Sequence, residues 1–367
     1  MVYNSKELVR IAKRENNPKR NYLVINRLQG KHIPVKPAEA LAMFRALADQ
    51  VPQSYAGPRT LVIGFAETAT AIGAALASAL GAYYIQTTRE EVPGAEYLYF
   101  SEEHSHATQQ RLVKNDLKRI LPDIDRILFA EDEVTTGKTI RHLIDRLEEE
   151  DPGQVTYAAA SILNGMDAQA LEDWKLRQIS VFYLVKTEQA DYEQALQGYV
   201  KKGISLDSGC AAFGKHVVEI EADGWMDARR LVFSDAYETA CMHLWEQVKE
   251  RSRFPLTGRI LVLGTEEFMY PALLAAEQMA GGGAEVWFHA TTRSPIAVYE
   301  EEQYPLHVRY PLPSFYDRNR QTFVYDLGVY DSVWIFTDSH CVEREGVDAL
   351  VRAASLWNNN ICVVRWC

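Results

Sequence analysis

The sequence has few cysteines, no long apolar run and no excess of positive charge. Its five cysteines among 367 residues are odd in number and include no CxxC pair, which argues against a disulfide framework and against a zinc site. No apolar run approaches the roughly 18 residues that span a bilayer, and residues 1–20 lack the apolar segment of a signal peptide. We therefore expect a reduced, cytoplasmic protein with no membrane partner.

The net charge of −11 argues against a nucleic-acid partner. This charge is unevenly distributed, because residues 1–36 contain nine Lys or Arg and two Glu. Such a segment is either a solvated basic face or the mouth of a site for an anionic ligand. In the second interpretation Lys31 and His32 belong to the site.

One run, residues 131–139, carries most of the chemical information. It reads EDEVTTGKT, follows an apolar strand predicted over 126–130, and precedes an amphipathic helix with apolar residues at 140, 143, 144 and 147. Backbone N–H groups and hydroxyls at the start of a helix can bind phosphate. The acids can accept hydrogen bonds from ribose hydroxyls or bind a divalent cation. The run therefore predicts a site for a phosphorylated sugar.

The letters GKT within this run invite comparison with the P-loop of nucleoside triphosphatases. That loop needs a glycine five positions before Gly137, where this chain has Asp132. A carboxylate there would repel a triphosphate, so the P-loop interpretation is disfavoured. A simple helix-capping loop would account for one threonine but not for the whole run.

The sequence also contains an internal repeat. LVIG at 61–64 returns as LVLG at 261–264, TTR at 87–89 returns at 291–293, and DRILFAED at 125–132 aligns with DSVWIFTD at 331–338. Helical stretches at 38–49 and 236–249 correspond as well. A generic βαβ composition would not preserve order and spacing at three points, so we infer a duplication.

Each copy alternates helices with apolar strands, which predicts parallel βαβ units in a doubly wound sheet. Ligands bind beyond the carboxyl ends of the strands in such sheets. Gly64, Arg89 and Glu131 each follow a predicted strand, so all three should meet at this edge.

The second copy lacks the phosphate-binding run. It has TDSHCVERE at 337–345, with no TTG turn and with acids where a phosphate needs donors. Its polar candidates are Glu266, Glu267, Arg293 and Asp338. These residues could carry a separate activity, although a scaffold role for this lobe is the simpler hypothesis.

The strand, the acid pair and the TTGKT turn resemble the phosphoribosyl-pyrophosphate motif of type I phosphoribosyltransferases. With GKHIPV at 30–35, EEHSHAT at 102–108 and TRSP at 292–295, the whole chain is similar to a fusion of a phosphoribosyltransferase domain with a C-terminal TRSP domain. That fusion occurs in bacterial gene clusters linked to tellurite resistance and stress. The resemblance implies two doubly wound α/β lobes of type I phosphoribosyltransferase fold, the second degenerate, with domains at 1–213 and 214–367.

The resemblance also implies residue roles. Glu131 and Asp132 would act in catalysis, bind the ribose hydroxyls and hold Mg²⁺, directly or indirectly. The 5′-phosphate would contact Val134, Thr135, Thr136, Gly137, Lys138 and Thr139, and the pyrophosphate would contact Ala66, Glu67, Thr68 and Arg89. This chain departs from the family pattern at Glu133, usually hydrophobic, and at Lys138, usually glycine.

Two further segments complete the implied site. The polar loop with His104 and His106 would cover it, and these histidines would contact pyrophosphate or transfer a proton. Lys31 and His32 would help form a hood that selects the acceptor.

The implied reaction is magnesium-dependent transfer of 5-phosphoribosyl between its pyrophosphate and a small, base-like acceptor. The alternative is a regulatory module that senses a phosphoribosyl ligand without turnover, but Arg89 and the histidine-bearing loop favour the enzyme. The chain could pair as a homodimer, or its duplicated lobes could form an internal pseudo-dimer.

Overall fold

The computed structural model describes residues 3–15, 17, 20–100, 110–150, 153, 155–187, 192–207, 209, 212–339 and 344–367. The strands are β1 (Val9–Lys13), β2 (Tyr22–Asn26), β3 (Thr60–Gly64), β4 (Tyr83–Gln86), β5 (Tyr97–Phe100), β6 (Gln110–Val113), β7 (Arg126–Val134), β8 (Thr156–Asn164), β9 (Ser180–Lys186), β10 (Ile204–Ser205), β11 (His216–Ala222), β12 (Val232–Phe233), β13 (Arg259–Gly264), β14 (Glu285–Ala290), β15 (Val308–Pro313), β16 (Gln321–Tyr325), β17 (Ser332–Thr337) and β18 (Asn360–Trp366). The helices are α1 (Ser5–Leu8), α2 (Pro37–Ala48), α3 (Thr70–Leu80), α4 (Lys114–Ile120), α5 (Lys138–Glu150), α6 (Ala168–Leu176), α7 (Ser234–Arg251), α8 (Tyr270–Gly281) and α9 (Glu345–Ser355). Over these ranges, no helix combines the length and apolarity that a membrane span requires.

The chain forms two compact units that interleave in sequence. The first comprises Met1–Ser5, Leu41–Ala190 and Met226–Thr239, and the second comprises Lys6–Ala40, Asp191–Trp225 and Ala240–Cys367. The N-terminal segment belongs to the second unit because it pairs there, through the bridges Arg14↔Ile296 and Val35↔Phe288. These units do not follow a single cut in the chain, so the division into domains at 1–213 and 214–367 stays a prediction.

The first unit is built on a six-stranded sheet in the order β12-β4-β3-β7-β8-β9. Only β12 is antiparallel to its neighbour. All five residues of β3 are buried, as expected for a parallel strand covered on both faces. Helix α3 lies close against it, since a Cβ on Gly73 would come within 2.8 Å of the Gly64 Cα.

The second unit is built on a five-stranded parallel sheet in the order β11-β18-β17-β13-β14. Its core is formed by apolar residues of β13, β15, β17, β18 and α9. The separate three-stranded sheet β10-β15-β16 adjoins a second apolar cluster that includes Tyr299, Tyr304 and Tyr325.

The two sheets repeat each other in strand order and in register. The order β4-β3-β7-β8-β9 corresponds to β14-β13-β17-β18-β11. Gly64 pairs with Gln86 and Ala130, and Gly264 pairs with Ala290 and Phe336, which are the positions that the sequence repeat aligns. The predicted α/β fold with two parallel sheets is therefore confirmed.

The correspondence fails in chain order at one strand. In the first unit β9 follows β8, whereas in the second unit the equivalent place beside β18 is taken by β11, which precedes the other four strands. The fifth strand of the second sheet therefore comes from the chain before its other four strands, whereas the fifth strand of the first sheet comes from the chain after them.

Candidate functional site

The run at 131–139 folds as predicted in outline, but the strand before it is longer than predicted. Strand β7 continues to Val134 instead of ending at 130, because β8 pairs alongside it as far as Val134↔Asn164. Helix α5 begins at Lys138, and the three residues between them form the turn. There the Thr136 hydroxyl accepts a hydrogen bond from the Lys138 N–H at 3.3 Å, and the Gly137 carbonyl accepts one from the Arg141 N–H at 3.0 Å.

Gly137 is required at this turn for two reasons. Its φ of +73° is rarely adopted by other residues. A Cβ at this position would also stand 2.4 Å from Cζ2 of Trp174, whose side chain on α6 is fully buried. The indole ring therefore packs directly against this turn.

The acids of the run lie within the paired end of β7, all half-buried. Side chains alternate along a strand, but Glu131 and Asp132 both lie past Ala130, the last residue of β7 that pairs with β3, and so both stand at the carboxyl edge of the sheet. Asp132 accepts a hydrogen bond from the Thr68 hydroxyl, with 2.8 Å between Oγ1 and Oδ1. Thr68 belongs to the loop between β3 and α3, so this bond joins the two segments that the sequence assigns to ribose and to pyrophosphate.

The loop between β3 and α3 is held by two buried residues that the sequence analysis did not single out for this role. The Ala66 N–H donates to the Thr87 hydroxyl at 2.8 Å, and Gln110 Nε2 donates to the Ala66 carbonyl at 2.8 Å. A third hydrogen bond joins Thr87 Oγ1 to Gln110 Oε1, and the Ala66–Glu67 peptide bond is cis. Both backbone polar groups of Ala66 are therefore fixed, one by Thr87, which follows β4, and the other by Gln110 of β6.

The corresponding loop of the second unit is held in the same way. The Glu266 N–H donates to the Thr291 hydroxyl at 2.9 Å, and the Thr291 N–H donates to the Gly264 carbonyl at 3.0 Å. In the first unit the matching bond runs from the Thr87 N–H to the Gly64 carbonyl at 2.9 Å. These bonds align position 266 with position 66 and the Thr-Thr-Arg segments with each other.

The predicted polar residues of the second unit do come together; Glu266, Glu267 and Asp338 are buried and Arg293 is half-buried. Arg293 donates from Nε to Glu266 Oε2 at 3.0 Å and from Nη2 to Glu267 Oε1 at 2.7 Å. Both glutamate side chains are fully buried. Asp338, also buried, accepts a hydrogen bond from the Tyr316 hydroxyl at 2.6 Å, and that hydroxyl lies 2.9 Å from Thr265 Oγ1. The four predicted residues thus belong to one polar cluster.

Comparison with known families agrees with this geometry. Residues 8–188 match the family described as phosphoribosyl transferase. Residues 228–354 match the family described as the TRSP domain that lies C-terminal to it. The chain is a phosphoribosyltransferase domain followed by a TRSP domain. This confirms the predicted fusion and, at the level of the family, the predicted class of enzyme.

Solved structures similar to the chain include adenine phosphoribosyltransferases. That of Rhodothermus marinus is 19% identical, with coverage of 50% of this chain and 96% of that chain and a TM-score of 0.35. That of Trypanosoma brucei, in complex with AMP, pyrophosphate and ribose-5-phosphate, is 14% identical, with coverage of 49% and 77% and a TM-score of 0.35. That of Giardia lamblia, complexed with 9-deazaadenine, is 14% identical, with coverage of 50% and 97% and a TM-score of 0.34. Among curated proteins, none matches the chain.

The remaining predicted residues of the phosphoribosyltransferase domain differ in their placement. Arg89 follows Thr88 at the carboxyl end of β4, as predicted, and is half-buried. Its carbonyl accepts a hydrogen bond from Arg111 Nη2 at 2.7 Å. His104 and His106 lie outside the described residues.

Lys31 and His32 belong to the second unit and are buried there. The Lys31 ammonium donates to the Glu266 carbonyl at 2.6 Å, which gives this lysine a binding partner in the polar cluster of the TRSP-containing unit. The role of the two residues as an acceptor hood stays a prediction.

The described residues contain no group of three or more His, Cys, Asp or Glu side chains that could hold a metal ion. Glu131 and Asp132 nevertheless present carboxylate oxygens of the kind that Mg²⁺ prefers. A magnesium ion at this edge would need further oxygen ligands, such as those of a bound diphosphate and water.

Proposed function

We propose that the first unit transfers a 5-phosphoribosyl group between its pyrophosphate and a small, base-like acceptor. The observation that carries this proposal is the 2.8 Å hydrogen bond between Thr68 and Asp132. It joins the acidic end of β7, which leads into the turn at 135–137 suited to a 5′-phosphate, to the loop at 65–69, suited to a diphosphate. These two anionic groups lie at opposite ends of phosphoribosyl pyrophosphate.

Each part of the edge then has a task. The turn before α5 binds the 5′-phosphate through N–H groups and the hydroxyls of Thr135, Thr136 and Thr139, and Lys138 adds a positive charge. The carboxylates of Glu131 and Asp132 accept hydrogen bonds from the ribose hydroxyls. They also stabilise positive charge that develops on the ribose ring in the transition state.

The transfer breaks the bond between ribose C1 and pyrophosphate, and the electron pair leaves on the pyrophosphate oxygen. A nitrogen of the acceptor forms the new bond to C1 and loses its proton to solvent or to a nearby base. Bound magnesium supplies charge neutralisation for pyrophosphate, and Glu131 and Asp132 are the residues that would hold it. Arg89 contributes a further positive charge beside the diphosphate.

The test measures pyrophosphate release from phosphoribosyl pyrophosphate in the presence of Mg²⁺ and a panel of purine and pyrimidine bases. Glu131→Gln with Asp132→Asn should lower the rate by about 10²–10³-fold, the scale for losing electrostatic stabilisation of a transition state. The control is Glu149→Gln, which removes a carboxylate from an exposed ion pair on α5 and should leave the rate unchanged.

Calorimetry with phosphoribosyl pyrophosphate separates the enzyme from a sensor. Binding that is lost in the double variant, together with release in the presence of a base, supports the transferase. Binding without release for any base would indicate a sensing module. Unchanged binding and release in the double variant would refute the assignment of the acids.

A further inference from the structure

The second unit contains an anion-binding cage that is filled by the protein itself. The Glu266 carboxylate accepts hydrogen bonds from Ser314 Oγ at 2.6 Å, the Phe315 N–H at 3.1 Å and Arg293 Nε at 3.0 Å. It also forms an ion pair with Arg320, whose Nη2 lies 3.4 Å from Oε2. This fully buried carboxylate is therefore held by three hydrogen bonds and two arginine side chains. Cages of this composition also bind the oxygens of phosphate groups.

The cage occupies the place that corresponds to the diphosphate loop of the first unit. Glu266 aligns with Ala66 through the bonds to Thr291 and Thr87. The strands that follow also correspond, since Thr88 exchanges two backbone hydrogen bonds with Arg111 and Thr292 exchanges two with Phe323. Arg293 therefore has Arg89 as its counterpart.

The two units differ in what stands at this position. In the second unit the side chain is a carboxylate, and it ion-pairs with Arg293 and Arg320. In the first unit the side chain is a methyl group, so the loop there carries one carboxylate, that of Glu67, where the second unit has two, those of Glu266 and Glu267. A buried carboxylate and a phosphate oxygen compete for the same donors, and two anions at one cage repel each other.

We propose that the residue at the equivalent positions 66 and 266 determines which unit binds the diphosphate, an inference that rests on the proposed function. The Glu266 carboxylate is a covalently attached substitute for a phosphate group and closes the second unit to pyrophosphate. Ala66 has no carboxylate, so the equivalent position of the first unit stays open to the ligand. We therefore expect one chain to bind one pyrophosphate, in the first unit.

The experiment titrates the full chain with inorganic pyrophosphate in magnesium buffer by calorimetry. The wild type should bind one equivalent. Ala66→Glu copies the second unit into the first and should weaken binding at least tenfold relative to Ala66→Gln, which has the same size and no charge. Glu266→Ala empties the cage and should raise the stoichiometry to two.

The outcomes separate this inference from the proposed function. Equal pyrophosphate affinity in the Ala66→Glu and Ala66→Gln variants would overturn this inference but not the proposed function. The same holds if the wild type binds two equivalents of pyrophosphate, or if a folded Glu266→Ala variant binds only one. If the wild type binds no pyrophosphate and releases none, both proposals fall. If Glu266→Ala does not fold, the comparison of the two Ala66 variants decides the matter.

Discussion

The contact between Gly137 and Trp174 gives a prediction whose size can be worked out from the structure. Gly137→Ala places a methyl group at a φ of +73° and 2.4 Å from the indole Cζ2. The left-handed conformation costs about 1–2 kcal/mol for a residue with a Cβ. Overpacking against a buried ring typically adds about 1–3 kcal/mol. We therefore expect the free energy of unfolding of the first unit to fall by about 2–5 kcal/mol, the sum of the two costs.

A matched control isolates the packing contribution. Gly81 also has a positive φ, +60°, but a Cβ there would meet nothing within 4 Å. Gly81→Ala should therefore cost only the conformational part, about 1–2 kcal/mol. Urea unfolding of both variants, followed by intrinsic fluorescence, measures the difference that the indole ring causes.

A double variant checks the mechanism. Trp174→Phe replaces the indole by a smaller ring without Cζ2, so it should relieve part of the cost of Gly137→Ala and give a coupling energy of about 1–2 kcal/mol in a double-mutant cycle. Ribose-5-phosphate should bind more weakly to Gly137→Ala than to the wild type, because the methyl group displaces the turn. Equal destabilisation by Gly137→Ala and Gly81→Ala would refute the proposed role of the ring.

Three further predictions concern single side chains. Thr68→Val removes the hydroxyl that orients Asp132 and should weaken phosphoribosyl-pyrophosphate binding about tenfold, while Thr68→Ser should preserve the measured affinity. Glu266→Ala leaves Arg293 without one of its two buried carboxylates and should lower the free energy of unfolding by about 3–5 kcal/mol; an unchanged urea midpoint would contradict the cage. Burial lowers the pKa of His289 to about 4 from its ordinary value of 6.5. Below pH 6.5 the unfolded chain therefore takes up a proton on this imidazole that the folded chain does not, and the free energy of unfolding should fall by about 3 kcal/mol as the pH drops from 6.5 to 4. His289→Gln should flatten that pH dependence, and an equally steep loss in the variant would show that other groups cause it.

Local patterns predicted the elements of the site but not all of their ends. The apolar run and the amphipathic helix around residues 131–139 identified β7 and α5. The end of β7 was misplaced because it depends on β8, which pairs with the acidic segment as far as Val134↔Asn164. The charged end of β7 is stabilised by hydrogen bonds to β8, which lies later in the chain. The pattern of residues within one segment does not reveal such a pairing.

The residues that hold the loop between β3 and α3 illustrate the same limit. Thr87 and Gln110 lie 21 and 44 residues from Ala66 in the chain, and neither stands in a motif of its own. The sequence repeat did contain a signal for Thr87, since the same threonine returns as Thr291 with the same bond. Gln110 offered no comparable signal.

The N-terminal segment shows how long-range pairing decides membership of a unit. Its charge suggested a site for an anion, yet Val35 bridges to Phe288 and Lys31 binds the Glu266 carbonyl. A lysine ammonium that is fully buried needs an oxygen partner. That partner lies 235 residues away.

The unusual order of the second sheet has a consequence for protein production. A fragment limited to residues 228–354, the part matched by the TRSP family, would omit both β11 and β18. Strand β17, all of whose residues are buried, would then become an exposed edge and a template for aggregation. An expressible C-terminal unit must therefore start before His216 and extend through Trp366. Because residues 6–40 also belong to this unit, they must be added as a separate peptide or joined to it by a new linker.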